Sequence, residues 1–131
     1  MANLTVENYK SDTLYPKVCD AMNAILSEAD VVSPILVLQK MGLVTAKEID
    51  DWRKGRIPFL EKVIKCNLSR SNRVLRLMRF HAHDLNMKPS ITVYKGNSKL
   101  LRFSKTGDTK IEEAYSMCFV MISKKRGRSN L

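Results

Sequence analysis

Apolar side chains recur every three or four positions through the first two thirds of the chain, which is the spacing of one helical face. Capping residues, prolines and glycines divide this region into separate segments. The predicted helices run from Leu14 to Ala29, from Pro34 to Met41, from Thr45 through Trp52, from Pro58 through Ile64 and from Ser71 to Asn86. The sequence therefore predicts four or five helices before residue 89.

The hydrophobic period changes after Pro89. Residues 91–94 and 99–104 are β-prone, and the Lys-Gly-Asn-Ser segment between them suits a hairpin turn. Thr109 with Glu112 forms a capping-box pattern that predicts one further helix. The predicted fold class is α+β, a mainly helical domain followed by a β-hairpin and a further helix. That order is compatible with a winged-helix-like arrangement.

The chain has 131 residues, a common length for one domain. We expect a flexible N-terminus over residues 1–12, a single globular domain over residues 13–122 and a basic disordered tail over residues 123–131. The N-terminus lacks the pattern of a signal peptide, and no stretch approaches the roughly 20 apolar residues of a membrane span. A cytoplasmic location away from the membrane is therefore expected.

The net positive charge is confined to the second half of the chain. Residues 1–66 hold nine Lys or Arg and nine Asp or Glu, whereas residues 67–131 hold fourteen and four, which accounts for the whole net charge of +10. Such asymmetry favours one electropositive surface over a general contribution to solubility. A polyanion is the partner that this distribution predicts first.

The helix predicted over residues 71–86 has two different faces. At about 100° per residue, its apolar positions fall within one arc, and the opposite half presents basic residues. The candidate phosphate-binding residues are Arg70, Arg73, Arg76, Arg79 and His83. Asp84 is the first acid in this stretch, so the arginines lack partners four residues away, although acids from the first half could pair with them in the fold.

Basic residues of the hairpin and tail extend this candidate surface. They are Lys95, Lys99, Arg102, Lys105, Lys124, Lys125, Arg126 and Arg128. Tyr94 and Phe103 alternate with these charges as base-stacking residues do, but the core of the sheet is the favoured interpretation. The tail would serve as a flexible arm on a phosphate backbone, or only as a solubilising segment.

A helix-turn-helix over residues 34–54 is excluded as the DNA-reading element. Its second helix carries Glu48, Asp50 and Asp51 in the half that would approach the phosphates. His81 and His83 lie about 200° apart on a helix and could not share a metal there. The three cysteines form no paired motif. We expect no catalytic residues, no metal site and no cofactor.

Two stretches resemble a group of small uncharacterised bacterial proteins for which no activity is established. One runs from Trp52 to Glu61 with the sequence WRKGRIPFLE, and the other from Leu101 to Asp108 with the sequence LRFSKTGD. The resemblance spans about residues 43–120. It implies a bacterial or phage origin and one integral domain, and it supplies no function.

The function predicted from these patterns is non-catalytic binding of DNA or RNA through phosphate contacts. The alternative is a protein–protein interaction module, such as a bacterial or phage regulator that covers the acidic or nucleic-acid-binding face of another protein. A third interpretation, a small metal-dependent nuclease, would depend on Asp50 and Asp51. The sequence does not tell whether the partner is DNA or RNA, and it leaves sequence specificity and oligomeric state open.

Overall fold

Five α-helices and three short strands form the framework of the computed structural model, which describes residues 7–95 and 101–122. The helices are α1 (Tyr15–Leu26), α2 (Pro34–Lys40), α3 (Ala46–Arg53), α4 (Leu68–Asp84) and α5 (Thr109–Ser116). The strands are β1 (Val31–Val32), β2 (Met87–Ile91) and β3 (Met117–Met121), and single 3-10 turns lie at Tyr9–Ser11 and Leu60–Lys62. The predicted α+β class is thus confirmed.

Side-chain caps begin several of the helices. The predicted capping box of α3 is present, since Thr45 Oγ1 accepts from the Glu48 amide at 3.1 Å and Glu48 accepts from the Thr45 amide at 2.9 Å. The second predicted capping box is wrong. Asp108 caps α5 by accepting from the Ile111 amide at 3.2 Å, because the Glu112 side chain turns back to the preceding loop.

The three strands form one antiparallel sheet in the order β1-β3-β2. Val32 lies opposite Phe119 at one side of β3, and Pro89 lies opposite Phe119 at the other. Strand β2 follows α4 after a two-residue turn in which Asn86 has a φ of 58°. This short connection holds the sheet beside the C-terminal half of α4.

The core lies between α1, α4 and the sheet, with an aromatic cluster towards the loop of residues 101–108. Trp52, Phe103 and Tyr115 are fully buried, and the Phe103 and Tyr115 rings stack with centroids 5.1 Å apart. The Trp52 indole Nε1 donates to the Arg102 carbonyl at 2.7 Å. These contacts fix the second half of the chain against α3.

The helix predicted from Pro58 is only the short 3-10 turn. The amides of Leu60 and Glu61 donate to the carbonyls of Arg102 and Phe103 at 3.1 and 2.8 Å. Because these amides donate to a distant loop and not to carbonyls four residues earlier in the chain, the segment lies alongside the loop and does not form an α-helix.

Among the described residues, the predicted hairpin strands at 91–94 and 99–104 contain only one residue of a regular strand, Ile91. The Leu101 amide donates to the Tyr94 carbonyl at 2.9 Å, and residues 96–100 lie outside the described residues. The regular strand begins earlier than predicted, at Met87, and its partner in the sheet is β3. Strand β3 was not predicted, because MCFVM continues directly from α5 without a turn residue.

The expected flexible N-terminus does not extend to residue 12. Tyr9 is buried, and the Asp12 side chain is only 2% exposed. An aromatic ring and a carboxylate with partners on α4 explain why residues 7–12 belong to the folded domain. Within the described ranges, no helix has the length and apolar character needed to cross a membrane.

Candidate functional site

Helix α4 positions the arginines that the sequence singled out. Asn67 caps the helix by accepting from the Arg70 amide at 2.8 Å. Val74, Leu77 and Met78 are buried in the core, and this anchors one side of the helix. The remaining side presents basic residues to solvent, and Arg70, Arg76, Arg79 and His83 are all exposed.

Arg73 is a correction to the predicted set. Its Nε donates to Asp12 Oδ2 at 2.8 Å, and the Arg73 side chain is 28% exposed. An acid from the first half has therefore paired with one arginine, as the alternative interpretation allowed. Arg73 serves to hold residues 7–12 and is not a free phosphate-binding group.

Residues 9–12 form a segment along one side of α4, which we call the N-terminal strap. The Tyr9 hydroxyl donates to Asp84, and the Tyr9 ring stacks on Phe80 with centroids 5.1 Å apart. Lys10 Nζ lies 3.6 Å from Asp84 Oδ2. The Tyr9 hydrogen bond and the Lys10 charge hold the pKa of the Asp84 carboxyl below its usual value.

Arg70, Arg76 and Arg79 differ from Arg73 in their surroundings. Across residues 7–95 and 101–122, none of these three guanidinium groups has a carboxylate within ion-pair distance. All three are exposed to solvent. Arg70, nine residues before Arg79, lies on the opposite side of the helix, whereas Arg76 and Arg79 lie on the side that faces α5 and the sheet.

A groove runs along that side, between α4, α5 and the sheet. It consists of two adjoining cavities of about 230 and 430 Å³ that share Arg79, Met117 and Phe119. The first is lined by Pro34, Asn72, Leu75, Arg76, Met78, Arg79, Lys110, Ile111, Ala114, Met117 and Phe119. The second adds Phe80, His83, Met87 and Pro89. No acid belongs to either set, so the groove combines an apolar floor with cationic edges.

Lys110 belongs to the groove, and the sequence reasoning missed it. It lies in the first turn of α5 and lines the cavity opposite Arg76 and Arg79. The general basic excess of residues 67–131 was the available signal. The missing information was the packing that brings α5 next to α4.

The basic residues of the loop region differ in their hydrogen bonding. Lys95 and Lys105 are exposed. Arg102 Nη2 donates to the Ser104 carbonyl at 3.3 Å and to the Lys105 carbonyl, so this guanidinium is engaged within its own loop. Outside the described residues lie the predicted sites Lys99, Lys124, Lys125, Arg126 and Arg128.

The two aromatic residues of this region belong to the core, as the favoured interpretation had it. Phe103 is 1% exposed, and half-buried Tyr94 packs against it with ring centroids 5.3 Å apart. Burial raises the pKa of the Tyr94 hydroxyl to about 12. The buried Phe103 ring is not available as a base-stacking surface, and the Tyr94 ring already carries the Arg53 guanidinium 5.5 Å from its centroid.

The acids of α3 are paired with neighbouring basic residues. Asp50 forms an ion pair with Lys54 at 2.9 Å, and Glu48 forms one with Lys65 at 2.6 Å. Asp51 forms ion pairs with both Lys47 and Arg56, each at 3.1 Å. In the part of the chain that the structure covers, no three His, Cys, Asp or Glu side chains are grouped to hold a metal ion.

The two histidines of α4 face opposite environments. His83 is exposed beside the groove, whereas His81 is buried, with Nδ1 3.5 Å from the Tyr15 hydroxyl and Nε2 3.6 Å from Cys19 Sγ. Burial lowers the pKa of the His81 imidazole, so this ring is neutral at pH 7. The separation predicted from the helical angle agrees with these positions.

The charged groove, the strap and the loop define the candidate site on geometry alone. No protein-family model, curated protein or solved structure matches this chain.

Proposed function

We propose that this protein is a non-catalytic nucleic-acid-binding protein that contacts phosphates through α4. The observation that carries the proposal is a difference in ion pairing between the acids of α3 and three arginines of α4. The acids of α3 have basic partners, whereas Arg70, Arg76 and Arg79 have no carboxylate partner among the described residues.

Arginine chemistry supports phosphate as the ligand. A guanidinium is planar, always charged and able to donate two parallel hydrogen bonds to a phosphate. Contacts of this kind position a protein on a nucleic acid without reading its sequence. Lys95 and Lys105, both exposed, would add phosphate contacts at the loop end of the domain.

A winged-helix-like arrangement is part of the proposal. Helix α4 leads into β2 after two residues, and β3 returns to lie between β1 and β2. In this arrangement α4 would approach the nucleic acid with its arginine side. The basic tail residues that the sequence singled out would act as an additional arm.

The test is the salt dependence of binding to a fluorescent oligonucleotide, measured by anisotropy. The affinity should fall steeply with salt, because each neutralised phosphate releases counterions. Replacement of Arg76 or Arg79 by Ala should reduce the salt slope by about one for each phosphate contact that is lost. The matched control is Arg56→Ala, which removes the same charge from an exposed residue that is already paired with Asp51 and lies outside α4.

A salt-independent affinity, or equal losses for Arg56→Ala and Arg79→Ala, would refute the proposal. Retention of a protein from lysate after nuclease treatment, together with no affinity for oligonucleotides, would favour the alternative of a protein–protein interaction module.

A further inference from the structure

We propose, on the basis of the function proposed above, that the groove beside α4 takes unpaired nucleotides of a single strand in preference to a duplex. Its chemistry has two parts, an apolar floor and cationic edges, and a single strand offers a matching surface to each of them.

The length of the groove suits several nucleotides. Its α4 edge extends from Asn72 to His83. At 1.5 Å per residue this edge is about 16 Å long. That length is roughly the axial rise of five stacked nucleotides at 3.4 Å each. The two cavities, of about 230 and 430 Å³, follow one another along this edge.

The floor offers surfaces on which bases can lie flat. Met117 and Ile111 are half-buried, Pro89 is exposed, and all three line the cavities. Single strands expose the π-faces of their bases, and contact with such a face does not depend on the base sequence. Met117, Ile111 and Pro89 would offer those faces apolar contact and not aromatic stacking. A duplex exposes phosphates and base edges, whereas its base faces are stacked inside. Of these two forms of nucleic acid, only the unpaired strand offers base faces to this floor.

The edges of the groove are suited to the phosphates of the same strand. Arg76 and Arg79 border it on α4, Lys110 borders it on α5, and none of the lining residues is acidic. The four basic residues within positions 123–131 would be repelled by the same edges, which disfavours this chain's own tail as the occupant. Charge complementarity favours an anionic strand.

The experiment compares two labelled probes in the same anisotropy assay with the full chain. One is an oligothymidylate of about twelve nucleotides, and the other is the same strand paired with its complement. We expect the single strand to bind about tenfold more tightly than the duplex. Equal affinities, or a preference for the duplex, would overturn this inference and leave the proposed function standing. Binding of neither probe would overturn both.

Variants of the floor provide the second comparison. Ile111→Ala and Pro89→Ala should each weaken the single strand about threefold to tenfold and leave the duplex affinity unchanged. The matched control is Leu68→Ala, which removes an exposed apolar side chain from the first residue of α4, outside the groove. Loss of duplex and single-strand binding together in the floor variants would contradict the proposal.

A competing ligand decides the remaining alternative. An acidic peptide with apolar residues at helical spacing is added to the complex with the oligothymidylate. If the peptide binds more tightly than the oligonucleotide and displaces it, the groove is a protein-docking site and the inference fails. A peptide that competes more weakly than the duplex supports the single strand as the occupant.

Discussion

Arg73 and Arg79 are identical side chains on one helix, six residues apart, and their surroundings differ completely. Arg73 is bound to Asp12, whose other carboxylate oxygen accepts from the Leu14 amide at 2.8 Å. The Asp12 carboxylate thus fixes the strap to α4 and also accepts from the residue just before the first turn of α1. Arg79 instead stands between the two cavities of the groove. The location of a partner, and not the residue type, separates a structural arginine from a candidate ligand-binding one.

We predict different stability effects for two arginine variants. Arg73→Ala should lower the free energy of unfolding by about 2 kcal/mol, because it leaves the buried Asp12 carboxylate without its cation. Arg76→Ala, on the exposed side of the same helix, should change it by no more than about 0.5 kcal/mol. Urea unfolding monitored by circular dichroism measures both. Equal effects would contradict the assigned role of Arg73.

The second prediction at this scale concerns pH. The folded protein holds His81 neutral because burial lowers its pKa below the ordinary value of 6.5, against the raising effect of the Asp84 charge. The unfolded chain binds a proton near pH 6.5, whereas the folded chain does so only at lower pH. Stability from this residue is therefore fully present above pH 6.5 and is lost as the pH falls towards the folded pKa.

Replacement of His81 by Gln should remove this component. The urea concentration at the unfolding midpoint of the wild type should decrease as the pH is lowered from 7 to about 5. This decrease should be smaller in the variant. The groups that face the ring are Tyr15, Cys19, Asp84 and Lys10, and none of them is changed. The same pH slope in both proteins would show that His81 does not contribute.

At the scale of elements, local sequence predicted the five α-helices of the described residues, but it also predicted a helix from Pro58 that is only a 3-10 turn. Apolar periodicity and caps predicted α1 to α5 to within a few residues, and the α3 capping box is present as expected. Two of the failures share one cause, which is bonding between segments distant in sequence. The backbone of Leu60 and Glu61 is hydrogen-bonded to the loop of residues 101–108. Strand β2 pairs with a strand some thirty residues later in the chain.

The candidate site follows the same division. The arginine face of α4 was visible as a helical pattern within one segment. The contact between Asp12 and Arg73 and the contribution of Lys110 to the groove join segments more than thirty residues apart. A single sequence contains no local signal for such pairs, so only their charge could be predicted.

The link between α5 and its preceding loop gives a prediction at this scale. The Glu112 carboxylate accepts from the amides of Phe103 and Ser104 at 2.9 and 2.7 Å and from the Ser104 hydroxyl at 2.6 Å. Glu112→Gln should lower the free energy of unfolding by about 2 kcal/mol, because hydrogen bonds to a charged acceptor are lost.

The neighbouring residue provides the control for this variant. Glu113 is exposed, and Glu113→Gln removes the same charge from the same helix. Its effect should stay within about 0.5 kcal/mol in the same urea titration. Similar losses in the two variants would mean that net charge, and not the bonds to the loop, determines the effect of Glu112→Gln.

At the scale of the whole molecule, the two halves of the chain have different electrostatic roles. The acids of α3 pair with basic residues between positions 47 and 65, so much of the first half's charge is balanced locally. The strap carries Asp12 to α4, where its carboxylate pairs with Arg73. Among the described residues of the second half, Arg76, Arg79 and Lys110 bring positive charge to the groove.

The single tryptophan, Trp52, gives this fold an internal optical reporter. Its ring is 0% exposed, lies 4.9 Å from the Phe103 ring by centroids and lines neither cavity of the groove. A soluble quencher such as acrylamide should therefore reach it only after unfolding. Emission that stays constant while a labelled strand binds, and shifts to longer wavelength in urea, would separate occupancy of the groove from loss of the fold in one sample.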